Sequence, residues 1–315
     1  MEYRYLGKSG LKVSAIGLGT NNFGRRLDAD ASALVINHAL DMGVNMIDTS
    51  NSYGNGYSEE YIGRALKGKR DSAIIATKVS STVGEGPNDG GNSRQHIMAE
   101  VENSLRRLQT DFIDLYQIHW HDPNVPIEET LRALDDLVRQ GKVRYIGCSN
   151  FTSWQVCEAA WTSRTLGISE FSSVQPRYSM MDRAIETELI PFCENYGLGI
   201  LPYYPLANGF LTGKYRRGEV APEGTRLAES DRGMFTDGNF DLLERLEAFC
   251  TARGHTVLEL AFAWLLANPA ISSVIAGATR VEQIIGNARA ASWQLTPYEL
   301  AEVNGIIDAV KPGGE

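Results

Sequence analysis

Eight short runs rich in isoleucine, valine and leucine recur along the 315-residue chain: VSAIGLG (13–19), NMIDTS (45–50), AIIATKV (73–79), FIDLYQIH (112–119), VRYIGCSN (143–150), FSSVQ (171–175), LGILPY (198–203) and ISSVIAG (271–277). They are continuous rather than alternating, as expected of parallel strands covered on both faces. Their ends, Gly19, Asp48, Lys78, His119, Ser149, Gln175, Tyr203 and Ala276, lie 29, 30, 41, 30, 26, 28 and 73 residues apart. Most of these intervals hold one strand and one helix, and eight such units close a barrel. Between the runs, apolar residues fall at helical spacing: Leu131, Leu134, Leu137 and Val138; Ile185, Leu189, Phe192 and Tyr196; Leu242, Leu243, Leu246, Phe249 and Cys250. Asp182 is placed to N-cap a helix starting at Arg183, and Gly141 to follow one ending at Gln140. No linker-like break interrupts the alternation. The reading is one (β/α)8 TIM barrel, a single domain over 1–315.

Three departures from the repeat are expected. YRYLGKSGLKVS reads as an N-terminal β-hairpin turning at Gly7–Gly10, able to plug the barrel floor. The long last interval holds a Gly- and charge-rich loop after strand 7, about 207–238, then helices at 239–253 and 256–268. A loop of that length is usually functional. TPYELAEVNGIIDAV (296–310) reads as an extra C-terminal helix capped by Thr296, with Pro297 at its first position.

Composition narrows the partners. Thirty Lys and Arg against 39 Asp and Glu give a net charge of −9, which argues against nucleic-acid binding. The longest apolar stretch, Leu260 to Ala267, falls far short of the ~18 residues that span a bilayer. The opening MEYRYLGKSG carries acid, base and glycine where a signal peptide is apolar, so a cytoplasmic chain is expected. Cys148, Cys157, Cys193 and Cys250 form no C-x-x-C pair and read as reduced core thiols.

Active sites of such barrels form at the carboxyl ends of the strands. Asp48, Lys78 and His119 end three consecutive runs, so they are expected at one mouth, and Tyr53 follows in the short segment TSNSYGNG. A free tyrosine titrates near ~10, too high for ready proton exchange. A Lys78 ammonium is expected to lower that value, with Asp48 holding the ammonium in place. Tyr53 then serves as general acid to a developing alkoxide, and neutral His119 hydrogen-bonds the same oxygen. No nucleophile stands in a G-x-S-x-G setting. Carbonyl reduction by a hydride donor suits these parts best.

Taken singly, Asp48 could cap a helix and Lys78 could be a solvated rim charge; the quartet together argues for chemistry. His119-x-His121 has the spacing of a metal pair, but no metal-barrel pattern accompanies it, so no metal is expected and His121 reads as structural or pocket-edge. His38 reads as a packed helix residue, and His96 and His255 as solvated or capping. Ser149 and Asn150 have a structural alternative as caps of the helix near Ser153, and Tyr203 as rim packing. Gly17-x-Gly19 and Gly54-x-Gly56 do not complete a dinucleotide fingerprint.

Eight ordered segments then carry a resemblance: GLGTNNFG (17–24), NMIDTSNSYGNGYSEEYIGRAL (45–66), ATK (76–78), DFIDLYQIHWHDP (111–123), GKVRYIGCSNF (141–151), SVQPRYS (173–179), YYPLANGFLTGKY (203–215) and IAGATRVEQIIGNARA (275–290). The chain resembles an aldo-keto reductase over essentially its whole length, and also the potassium-channel β-subunit branch of that family. The resemblance implies a catalytic tetrad of Asp48, Tyr53, Lys78 and His119. It implies NADPH or NADP+ extended across the barrel top, over Gly19, Thr20, Asn21 and Asp48. Ser149, Asn150 and Gln175 would hold the carboxamide, with Tyr203 stacked on the ring. Leu206, Gly209 and Lys214 would cover the pyrophosphate, and Gly277, Thr279, Arg280, Gln283 and Asn287 would meet the adenosine end, near a helix N-terminus that attracts phosphate. Arg216 and Arg217 would add local positive charge.

Many NADPH-preferring members place an arginine where this chain has Gln283, so NADH is an alternative. The implied substrate pocket is Phe23, Tyr53, Trp120 and the loop 80–93, with Met234 and Phe235 from the long loop. The expected partner is a small carbonyl or alcohol, with no nucleic acid and no membrane; a homo-oligomer is compatible with the sequence. The alternative function is a cofactor-binding regulatory subunit of the channel β type, against which the sequence shows no long N-terminal extension.

Overall fold

The structure, a computed structural model, describes residues 1–310. The hairpin forms first in the chain. Strands β1 (Tyr3–Tyr5) and β2 (Lys12–Ser14) pair antiparallel, with Tyr3 opposite Ser14. Its turn passes Gly7 at φ +55°, where a Cβ would lie 2.6 Å from the backbone of Gly197 and Gly199. Only glycine fits both that conformation and that approach. Leu6 and Val13 then pack with Met46, Ala76, Leu115, Leu201 and Ile275 in a small apolar cluster apart from the main core. The hairpin therefore closes the floor.

The expected run 13–19 divides at Ala15. Val13 and Ser14 belong to the hairpin, and β3 (Ile16–Gly19) to the barrel. Ser14 Oγ donates to Ile16 O at 2.7 Å, supporting the bend between them. Seven parallel partners follow: β4 (Met46–Asp48), β5 (Ile74–Val79), β6 (Ile113–Ile118), β7 (Val143–Ser149), β8 (Ser173–Gln175), β9 (Gly199–Ile200) and β10 (Val274–Gly277). The order is β10-β3-β4-β5-β6-β7-β8-β9. Bridges from Ile200 to Ile271 and from Tyr203 to Ile275 join the two outer strands and close the cylinder.

The helices are α1 (Ala29–Asp41), α2 (Tyr57–Ala65), α3 (Arg94–Leu108), α4 (Ile127–Arg139), α5 (Ser153–Leu166), α6 (Leu189–Tyr196), α7 (Arg226–Glu229), α8 (Asp237–Thr251), α9 (Val257–Leu266), α10 (Val281–Ala290) and α11 (Pro297–Ala309). α4 shows why: Leu131, Leu134 and Leu137 are fully buried on one face, while Arg132 and Arg139 stay outside. Gly141 follows that helix at φ +75°. α8 buries all five of the apolar residues expected of it and packs on α11, whose Thr296 makes a capping box.

Asp182 caps nothing. Its carboxylate pairs with Arg177, its backbone bridges Ser179, and α6 begins only at Leu189. The four cysteines are free thiols, three of them buried. Among the described residues no helix is long and apolar enough to cross a membrane.

Candidate active site

Lys78, at the end of β5, is fully buried. Its Nζ donates to both carboxylate oxygens of Asp48 and to Thr49 O, each at 2.8 Å. All three ammonium protons thus have acceptors, the condition under which a buried ion pair is tolerated. Gln175 Nε2 also donates to Asp48 Oδ1 at 2.8 Å. Gln175, expected at the carboxamide, is therefore committed by one end to the ion pair. Burial opposes the Lys78 charge, but Asp48 and Tyr53 outweigh it and hold the ammonium above its ordinary value.

Tyr53 opens a short turn, Tyr53–Gly56, that leads into α2. Lys78 Nζ lies 5.2 Å from its ring centre, and the ring meets His119 edge-on at 6.0 Å. Burial raises the phenol more than Lys78 lowers it, so the net shift is upward, opposite to the sequence expectation. The ammonium is shared with Asp48, whose own charge also raises the phenol. Tyr53 is accordingly held as the protonated acid.

His119 stacks on Trp120 at 5.5 Å and places Nδ1 3.3 Å from Ser50 Oγ. Burial, with Lys78 nearby, lowers its pKa from 6.5 to about 3. The imidazole is neutral near neutral pH. His121 faces away, packing edge-on against Phe151 and Trp154.

The next strand ends brace these groups. Ser149 Oγ donates to Gln175 O at 2.8 Å. Asn150, at φ +58°, donates to His119 O at 3.0 Å and accepts from Tyr203 Oη at 2.6 Å. Neither caps α5, whose cap is Thr152. Among the described residues, six of the eight non-glycine residues with positive φ lie on mouth loops: Asn55, Ser80, Asn150, Tyr204, Ala207 and Asn208. Each such conformation costs about 1–3 kcal/mol, and strain of this kind concentrates at functional sites.

Above the barrel lies a cavity of about 1330 Å3. Asp48, Tyr53, His119 and Trp120 line it, as do Gly19, Thr20, Asn21, Ser149, Asn150, Tyr203, Leu206, Gly209, Lys214, Gly277, Thr279, Arg280, Gln283 and Asn287. Lys78, Gln175 and Phe23 sit beneath the surface rather than in the lining. The expected pocket residues of loop 80–93 are not in the lining either; their place is taken by Tyr57, Tyr204, Arg25 and Arg226. Met234 and Phe235 are also absent from it, and Phe235 packs in the core with Phe210, Tyr215 and Phe240.

The cavity has features that fit a dinucleotide. Asn208 Oδ1 and Asn287 Nδ2 are buried, lack a partner and belong to lining residues. Gly209 comes so close to Lys214 that a Cβ there would lie 3.3 Å from Nζ. Gln283 Oε1 accepts from Thr279 N at 2.7 Å, so this side chain holds the turn into α10. Arg216 and Arg217, expected as local cations, pair instead with Glu247 and with Asp237, Asp241 and Glu244. Of the expected cations, Lys214 and Arg280 remain in the lining.

A buried network behind the Tyr53 loop had no sequence signal. Glu59 Oε2 accepts from Arg107 Nε at 2.6 Å and Oε1 from Thr77 at 2.5 Å. Asn51 donates to Glu100 at 2.8 Å, and Arg107 reaches the same carboxylate at 3.5 Å. The loop bearing Tyr53 is thus fastened to the strand bearing Lys78. His96 lies in this region, buried with Nε2 unpartnered, not solvated as expected. His255 stacks on Trp293 at 3.9 Å.

Comparison with known proteins bears on the family. A probable voltage-gated potassium channel subunit beta of Arabidopsis thaliana is 36% identical over 98% of this chain and 97% of its own length. An uncharacterized oxidoreductase, YrpG, of Bacillus subtilis is 37% identical over 100% of this chain and 98% of its own. The L-glyceraldehyde 3-phosphate reductase of Escherichia coli K12 is 33% identical over 98% and 92%. The sequence pattern of the Aldo/keto reductase family matches residues 15–308. The eight-stranded barrel and this match over nearly the whole length agree: the chain belongs to the aldo/keto reductase family.

Proposed function

We propose that this chain is an NADP(H)-dependent, cytoplasmic aldo-keto reductase acting reversibly on a small aldehyde or ketone, with NADH as the alternative cofactor. The observation that carries the reading is one mouth holding a protonated Tyr53, a neutral His119 and the Lys78–Asp48 ion pair. Ser149, Asn150 and Tyr203 would hold the nicotinamide end, Lys214 the diphosphate, and Arg280 and Asn287 the adenosine end. When bound, that group supplies or accepts the hydride.

The rest is done by side chains. His119 hydrogen-bonds the carbonyl oxygen and, being neutral, orients it without competing for the proton. Tyr53 gives its phenolic proton to that oxygen as negative charge develops. Lys78 stabilises the phenolate left behind, and Asp48 keeps the ammonium in place. In the reverse direction the phenolate takes the alcohol proton back.

The test is NADPH oxidation followed by nicotinamide absorbance with a panel of aldehydes, ketones and quinones, alongside NADH. Turnover of any member supports the reading, and failure to bind either nucleotide overturns it. The likeness to a channel subunit beta favours a second reading, a cofactor-binding regulatory subunit. Tight nucleotide binding with no turnover on the whole panel would favour that one.

A further inference from the structure

His119 is neutral, so only one of its two ring nitrogens carries a proton. Which one decides what the ring can do at the mouth. A protonated Nε2 can donate to a carbonyl oxygen, whereas a bare Nε2 would set lone pair against lone pair. The ring turns Nδ1 inward, 3.3 Å from Ser50 Oγ, and Nε2 has no protein partner among the described residues. His119 lines the cavity, while Ser50 is fully buried and outside that lining. Nε2 is therefore the nitrogen left to the cavity.

Ser50 lies two residues past β4, and its carbonyl accepts from Tyr53 N at 3.2 Å, so it belongs to the turn that presents the phenol. A serine hydroxyl has one proton to give and two lone pairs to offer. Ser52 approaches those lone pairs with both of its donors, N at 3.4 Å and Oγ at 3.1 Å. The hydroxyl proton is left for two acceptors at 3.3 Å, His119 Nδ1 and Asn51 Oδ1. Asn51 is fastened at its other end, where Nδ2 donates to Glu100 at 2.8 Å. Of the two acceptors the imidazole nitrogen is the far stronger base: its conjugate acid titrates near ~6.5 in water, a range in which a neutral amide takes up no proton.

Resting on the reductase reading, we propose that Ser50 is a positioning residue: it donates its hydroxyl proton to His119 Nδ1 and so fixes the tautomer that carries its proton on Nε2, toward the substrate carbonyl. The partner of one ring nitrogen sets the state of the other. The same contact limits rotation of the ring, whose backbone is already held by Val79 O at 2.8 Å from N and by Asn150 at its carbonyl.

The first test needs no turnover. Nitrogen-15 NMR of histidine-labelled protein at neutral pH distinguishes the two neutral tautomers through long-range proton–nitrogen couplings, with His119→Gln identifying the His119 signals among the five histidines. The wild type is expected to show His119 protonated on Nε2 alone. Ser50→Ala should lose that single state and show averaged or exchanging ring-nitrogen shifts, and Ser50→Thr, which keeps the hydroxyl, should restore it. A wild-type ring protonated on Nδ1 gives the hydroxyl proton to Asn51 and overturns the proposal, as do signals that Ser50→Ala leaves unchanged. In turnover with NADPH and any carbonyl the protein reduces, Ser50→Ala should lower kcat about tenfold, as the loss of one hydrogen bond implies, with nucleotide affinity and melting temperature near wild type. Ser50→Thr should recover most of that loss. In a His119→Gln background Ser50→Ala should cost nothing further, because the hydroxyl acts through the imidazole. An equal penalty in both backgrounds marks a merely structural role and overturns the proposal. If no carbonyl turns over, the reductase reading fails separately, and the NMR signals still decide the tautomer.

Discussion

The two ends of this barrel are built on opposite terms. At the floor, Leu6 and Val13 of the hairpin meet side chains from five barrel strands or their ends in an apolar cluster, and the left-handed turns there fall mostly on glycines such as Gly7, Gly43, Gly141 and Gly197, with Gln109 as a non-glycine case. At the mouth, a charged pair, a raised phenol and a neutral imidazole are buried together, surrounded by six residues in left-handed backbone. The floor favours folding and is chemically inert. The mouth opposes folding through desolvated charge and strain, and what holds it is the full hydrogen bonding of the Lys78 ammonium plus the network of Glu59, Glu100 and Arg107 behind it. Stability and chemistry are therefore separable along one axis, and substitutions at the two ends should separate them.

The largest effect is expected from Tyr53→Phe, which should lower kcat by about 10²–10⁴-fold while leaving nucleotide affinity and melting temperature near wild type. A variant with full turnover would remove Tyr53 from the proton step. Arg107→Met leaves Glu59 buried without its cation and should destabilise the fold by about 3–5 kcal/mol. Adding Glu59→Gln should recover part of that loss; a urea titration showing two independent, additive penalties would disprove the coupling.

Leu6→Ala at the floor should cost about 2–5 kcal/mol and lower the melting temperature by several degrees, with kcat per folded molecule unchanged. A fall in kcat beyond the folded fraction would show that floor and mouth are not separable. Arg280→Ala should weaken NADPH about tenfold more than NADH, since Gln283 is occupied by Thr279 and offers no charge. Equal losses in a fluorescence titration would exclude a 2′-phosphate role.

The last effect concerns pH. His119 titrates at about 3 in the folded chain against an ordinary value of 6.5. Below pH 6.5 the unfolded state takes up the proton first, so this group contributes stability above that value and loses it progressively as pH falls toward 3. His119→Gln should therefore show a shallower acid loss of urea midpoint than wild type over that range. Parallel slopes would mean that the imidazole is not held neutral.

The barrel itself was legible because its signal is repeated and local. Continuous apolar runs at near-constant spacing specify strands, and helical faces such as Leu131, Leu134 and Leu137 specify the layer outside them. The strand ends named Asp48, Lys78 and His119 for the same reason: a parallel barrel sends every strand end to one face. Helix caps were less secure, and Asp182 shows why, since its carboxylate found Arg177 instead of a backbone amide.

What tertiary structure alone decided are the balances between long-range terms. The proximity of Tyr53 to Lys78 could be read from strand order, but the direction of the phenol's shift could not. It depends on how deeply the ring is buried and on how fully Asp48 claims the ammonium. Likewise, Arg216 and Arg217 were as cationic in sequence as Arg25 and Arg226, yet the first two are neutralised by carboxylates on α8 while the latter two face the cavity. Residue type determines what charge a group can carry. Only packing determines which partner it meets and whether water is excluded, and those two quantities set its chemistry.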